Sequence, residues 1–110
     1  DRLTGGAGND KFVFNHAPNA VTNSDTIVDF APGADKIVLD HTVFSALTAL
    51  GALDASHFVV GTPADNDDFI AYDPGTGALS YFASGNGDVG IQFATLTGAP
   101  TLAAGDIIVA

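Results

Sequence analysis

The feature that most restricts how this chain can fold is a nine-residue unit near its start. Gly5-Gly6-Ala7-Gly8-Asn9-Asp10-Lys11-Phe12-Val13 follows the pattern G-G-x-G-x-D-x-U-x, where U is a large apolar residue. Asp1-Arg2-Leu3-Thr4 supplies the D-x-U-x tail of a preceding copy, so Asp1 and Asp10 stand nine residues apart, as do Leu3 and Phe12. Glycines accept positive φ and let a tight turn aim its carbonyls inward. Asp10 adds a hard carboxylate oxygen, and the residues after it are extended, with one large apolar side chain facing a core. A phosphate-binding loop would need a helix after the glycines and usually a lysine; the strand Lys11-Phe12-Val13-Phe14 follows instead. The unit reads as turn, then short strand.

This unit resembles the nonapeptide of hemolysin-type (RTX) proteins, and the chain looks like the end of such an array. The resemblance implies a parallel β-roll with two nonapeptides per coil and calcium, which accepts 6–8 oxygen ligands, between stacked turns. It implies metal ligands at Asp1 and Asp10 and in the turn Gly6, Ala7 and Gly8. Ser24-Asp25-Thr26-Ile27-Val28 and Gly33-Ala34-Asp35-Lys36-Ile37-Val38 continue the pattern in degraded form. Counting coils puts Asp1 and Asp25 on one side of the roll, and Asp10 and Asp35 on the other. Asp25 and Asp35 therefore join the candidate metal ligands. For Asp35, a plain β-turn over Pro32-Gly33-Ala34-Asp35 is an equal reading. Residues Asn15 to Asn23 read as an insertion between coils.

Composition fits a metal-stapled β domain. All 13 acidic residues are Asp, against Arg2, Lys11 and Lys36. Aspartate is poor inside helices and good in turns and metal loops. A net charge of −10 excludes nucleic acid as a partner and disfavours an anionic membrane surface. The absence of Cys rules out disulfides and thiolate sites, which leaves a metal as the usual staple for a small extracellular domain. No apolar stretch approaches the roughly 20 residues of a membrane span, and there is no basic, apolar leader. The opening at Asp1 in mid-pattern reads as a fragment of a longer protein.

Further along, Asp40 should cap a short helix over Val43, Phe44, Leu47 and Leu50 that ends near Gly51. A brief turn at Asp54-Ala55-Ser56 should lead into the strand His57–Val60. Phe69–Tyr72 and Ala78–Phe82 flank Asp73-Pro74-Gly75-Thr76-Gly77, a strong hairpin signal. A second hairpin turns at Ser84-Gly85-Asn86-Gly87 and returns through Val89–Phe93, and Asp106–Ala110 is the last strand. This order is similar to the C-terminal domain of serralysin-type (peptidase M10) proteases. One departure stands out: family members often carry Y-D-x-D-G-x-G where this chain has Tyr81-Phe82-Ala83-Ser84-Gly85-Asn86-Gly87, two carboxylates fewer. The run Asp65-Asn66-Asp67-Asp68 is either a solvated loop or a further calcium trap.

Catalysis is not expected in this segment. H-E-x-x-H is impossible without Glu, His16, His41 and His57 are isolated, and no Ser lies in a G-x-S-x-G elbow. Asp73-Pro74 reads as a turn rather than a self-cleaving bond. The fold expected is mainly β: the end of a parallel β-roll, capped by a β-rich C-terminal domain with hairpins and one short helix. Residues 1–14 would be the last nonapeptides, and residues 15–110 the continuation and cap. The resemblance implies a calcium-binding, type I-secreted protein of a Gram-negative bacterium. Its partners would be calcium ions, the type I secretion machinery, and upstream repeats and an effector domain of the same chain. The secretion signal would lie at the extreme C-terminus. Alternatives are an adhesive or ligand-binding extracellular module, or the non-catalytic end of a secreted metalloprotease or other hydrolase.

Overall fold

The structure, a computed structural model, describes residues 2–15, 25–61, 63, 67–83 and 90–110. Alternation of apolar and polar side chains decides the first strands. In β2 (Lys11–Phe14), Phe12 and Phe14 are buried while Lys11 and Val13 face solvent. In β4 (Lys36–Leu39), Ile37 and Leu39 are fully buried between more exposed neighbours. β1 (Arg2–Leu3) and β3 (Asp25–Ile27) likewise turn Leu3 and Ile27 toward the core. From β1 to β4 the chain switches sheets at every step. β1 pairs in parallel with β3 (Leu3 opposite Ile27), and β2 pairs in parallel with β4 (Phe12 opposite Ile37). These are two coils of a parallel roll.

The remaining elements are β5 (Gly51–Ala52), a 3₁₀ turn (Ala55–His57), β6 (Phe58–Val60), β7 (Ile70–Tyr72), β8 (Ala78–Tyr81), β9 (Ile91–Leu96), a 3₁₀ turn (Ala104–Asp106) and β10 (Ile107–Val109). One sheet runs β1-β3-β9-β8-β7-β6 and the other β2-β4-β10-β5. β9 lies parallel to β3, with Leu96 opposite Ile27, and β10 lies parallel to β4, with Ile107 opposite Ile37. Residues 91–109 are therefore a third coil of the same roll. The hydrogen-bond ladder confirms the stacking: Val28 N–H donates to Leu3 O, and Thr97 N–H to Ile27 O. The stretch between β4 and β9 is an excursion that adds β6, β7 and β8 to one sheet and β5 to the other.

The last strand, which a chain terminus would ordinarily leave as an edge strand, lies inside its sheet as β10, between β4 and β5. The helix expected after Asp40 does not form. Asp40 O accepts from Val43 and Phe44 N–H, but the ladder stops there because Ala46 N–H donates to the Tyr81 hydroxyl at 3.0 Å and Leu47 N–H to Phe44 O. A tertiary acceptor has taken the amide that an α-helix needs. What the helical spacing reported correctly is burial, since Phe44 and Leu47 sit in the core. Phe93 anchors that core, packing edge-on against Phe14 (5.3 Å) and Phe44 (5.1 Å), and Phe44 packs likewise on Tyr81 (5.0 Å).

The hairpins follow their turn chemistry. Asp73 Oδ1 accepts from Gly75 N–H at 2.8 Å, which makes Asp73-Pro74 part of an ordinary Asx turn between β7 and β8. The second hairpin joins β8 to β9, whose pairing shifts register between Leu79 and Ser80. Its turn at Ser84–Gly87 lies outside the described residues, as does the expected insertion Asn15 to Asn23 apart from Asn15 itself.

Candidate functional site

The glycine turn joins β1 to β2 at one end of both sheets. Gly6 (φ 81°) and Gly8 (φ 96°) hold the left-handed backbone that the nonapeptide pattern demands. Gly5 is required for a different reason: a β-carbon there would lie 2.4 Å from Asp10 Oδ2. The Asp10 side chain thus folds back over Gly5, inside the turn. Asp10 Oδ2 is buried and, alone among the buried side-chain nitrogens and oxygens of the described residues, has no hydrogen-bond partner. An orphaned buried carboxylate oxygen is costly unless a cation or donor meets it.

The other side of this turn is closed by the second coil. Asp29 Oδ1 accepts from Gly5 N–H at 2.9 Å and Asp29 Oδ2 from Gly6 N–H at 2.7 Å. Those two amides hold the Asp29 carboxyl below its ordinary value of 3.8, against a smaller opposing effect of burial. Asp35 Oδ1 accepts from Asp10 N–H at 2.9 Å, while its Oδ2 accepts from Ala31 N–H at 2.9 Å. Asp35 thus bonds to the Asp10 turn and to its own turn at once. Ala34 and Asp35 N–H both donate to Ala31 O, so the β-turn runs over Ala31–Ala34, one residue before the expected Pro32–Asp35, with Gly33 at φ 87°.

Of the seven candidate ligands, the structure gathers Gly6, Ala7, Gly8, Asp10 and Asp35 around one turn pair. Asp25 heads β3, one position before Thr26, which pairs with Arg2; its expected partner Asp1 lies outside the described residues. No group of three or more His or Asp side chains among the described residues is poised as a ready-made cation cage. The donor set is nevertheless of the kind calcium takes: an orphaned carboxylate oxygen beside a glycine turn. Asp65 and Asn66 lie outside the described residues, and Asp68 is buried.

Sequence reasoning missed Asp29 and Asp106. Asp29 was within reach: once Leu3 is set opposite Ile27, the residue two places on falls opposite Gly5. Asp106 was not, because nothing in its local pattern marks Ala99–Gly105 as a roll turn. His57 Nδ1 lies 2.8 Å from Asp67 O and its ring packs on Phe69, whereas His41 Nδ1 lies 2.8 Å from Ala110 O, so each has a structural partner.

Compared with known proteins, residues 1–109 match the family model described as Peptidase M10 serralysin C terminal. No curated protein matches the chain, and no solved structure does. No helix among the described residues is long and apolar enough to cross a membrane.

Proposed function

The chain belongs to the peptidase M10 serralysin C-terminal family, and from that membership we propose that it is a calcium-responsive module which completes and caps a β-roll. Domains of this family are non-catalytic parts of secreted proteins, with the catalytic part elsewhere in the parent, and they generally bind calcium. In this reading residues 1–14 are the last nonapeptides and residues 15–110 continue the roll and cap it. The parent leaves the cell by type I secretion, on a signal at its C-terminal end. The observation that carries the calcium reading is Asp10 Oδ2, buried without a partner in an intact glycine turn. Asp10 and the turn Gly6-Ala7-Gly8 would hold the ion, with Asp1, Asp25 and Asp35 as the further candidates. Calcium would supply the positive charge that the orphaned oxygen lacks.

Binding to the folded state alone makes metal affinity into folding free energy. Where calcium is scarce the acidic turns repel and the fold is less stable; at extracellular calcium, where such modules bind at about 10⁻⁴–10⁻³ M, the folded roll gains stability. Thermal unfolding tests this directly. With calcium at about 100 times Kd, the stabilisation should be about 2.7 kcal/mol, or about 10 °C in Tm. Magnesium, which demands a small octahedral shell, should have little effect. Identical melting curves in calcium and in chelator would remove the reading. The export signal is tested separately by fusing residues 1–110 to a slow-folding passenger, with and without residues 106–110. Export that persists without them would place the signal upstream.

A further inference from the structure

Three successive turns of the roll, 4–10, 28–35 and 97–106, stack on one another, and the bonds between them follow one rule. Each later turn sends a carboxylate back to the amides of the turn before it. Asp29 takes the N–H groups of Gly5 and Gly6, and Asp35 takes that of Asp10. Asp106 Oδ1 then takes Gly33 N–H at 2.9 Å, across 73 residues of sequence. Asp35 and Asp106 also serve their own turns through their second oxygen, Asp35 from Ala31 N–H and Asp106 from Ala103 N–H at 3.0 Å. Both are buried. The last turn even carries a resident cation. Lys36 Nζ lies 3.9 Å from Asp106 Oδ1 and donates to Gly105 O at 3.1 Å, so one ammonium meets a carboxylate and a backbone carbonyl as a bound metal would.

We propose that Asp29, Asp35 and Asp106, with Lys36, form a metal-free clamp that holds the two contacts between these three turns, so that within the turns calcium acts at Asp10 and the glycine turn alone. This rests on the calcium reading for Asp10 but not for the clamp itself. Both oxygens of each clamping carboxylate already accept amide protons, and a cation beside Asp106 would be repelled by Lys36. Among the described carboxylates of these three turns, Asp10, with its unpartnered buried oxygen, is left to a metal. Asp35 is thereby reassigned from ligand to clamp. The consequence is that the turns 4–10, 28–35 and 97–106 stack without calcium, and the metal then adds stability at the Asp10 turn alone.

Amide hydrogen exchange on the 110-residue chain in chelator reads the clamp directly, because the Asp10 and Gly33 N–H groups have carboxylates as partners. Both should exchange at least about tenfold more slowly than unprotected amides. Exchange at the unprotected rate in chelator, with protection appearing only on adding calcium, would overturn the proposal. Calcium titration of variants gives the second readout. Asp35→Asn and Asp106→Asn each replace one acceptor with a donor that faces an amide. They should lower Tm equally with and without calcium and leave calcium affinity within about twofold, while Asp10→Asn should weaken it about tenfold or more. A tenfold loss of affinity in Asp35→Asn or Asp106→Asn would make those residues ligands and sink the clamp. A flat isotherm for the unaltered chain would remove the calcium reading instead, and the exchange result in chelator would still decide the clamp.

Discussion

Substituting alanine at Gly77 and, separately, at Gly98 should divide a backbone cost from a packing cost. The two glycines have nearly the same conformation, φ 80° and φ 82°. Alanine in that region costs about 1–2 kcal/mol, and that much is common to both. Their surroundings differ. A β-carbon at Gly98 would meet nothing within 4 Å, whereas one at Gly77 would sit 2.1 Å from Leu96 O. Ordinary contact begins at 3.4 Å, so the Leu96 carbonyl would have to retreat by 3.4 − 2.1 = 1.3 Å. Leu96 has no freedom to do so. Its side chain is fully buried, its N–H donates to Gly77 O at 2.8 Å, and it pairs with Ile27 in the neighbouring coil. Overpacking of this kind adds about 1–3 kcal/mol. Gly77→Ala should therefore cost about 2–5 kcal/mol and Gly98→Ala about 1–2 kcal/mol. Urea denaturation of the two variants beside the parent chain measures the difference. Equal losses would refute the close approach of the β7–β8 turn to β9, and with it the packing of the excursion onto the third coil.

Other expectations follow from single contacts. Phe93→Ala removes the side chain that joins Phe14 to Phe44, and should cost about 3–5 kcal/mol in the same urea assay. Deleting residues 107–110 strips Ile107 and Val109, both essentially buried, from inside a sheet; at about 1.5–3 kcal/mol each, set against a total of about 5–15, circular dichroism should show lost β signal. Asp29, Asp40 and Asp54 are all held below 3.8, Asp29 first by the Gly5 amide, Asp40 by the Thr42 hydroxyl and Asp54 by the Ser56 amide. Depressed carboxyls stabilise above their unfolded value, so Tm should be level above about pH 4 and fall as the pH drops below it, less steeply in Asp29→Asn. Burial, with a smaller push from Asp73, raises the Tyr72 hydroxyl above 10.0, so its contribution is complete below that value and is lost as pH climbs past it. Tyr72→Phe should flatten that alkaline fall, and lose about 1 kcal/mol at neutral pH with the bond to Pro100 O.

The amino-acid order alone determined a good deal about this protein. The nonapeptide dictates the left-handed glycines and the carboxylate of Asp10, because only those residue types make that turn. The D-x-U-x runs fix which side chains face inward, because side chains alternate along a strand. Counting by coils placed Asp10 opposite Asp35, since the roll repeats within short range of sequence. The turns at Asp54 and Asp73 were legible for the same reason: a short carboxylate binds an amide two residues on, whatever surrounds it. Decisions that link distant segments belonged to the tertiary structure. The Tyr81 hydroxyl, 35 residues away, takes the Ala46 amide and stops a helix whose local pattern was sound. β9 and β10 share hydrophobic patterning with any hairpin return or edge strand, and only docking on Ile27 and Ile37 makes them the third coil. Asp106 becomes a clamp by the same docking, since its acceptors acquire a partner at Gly33 only when the roll closes across 73 residues.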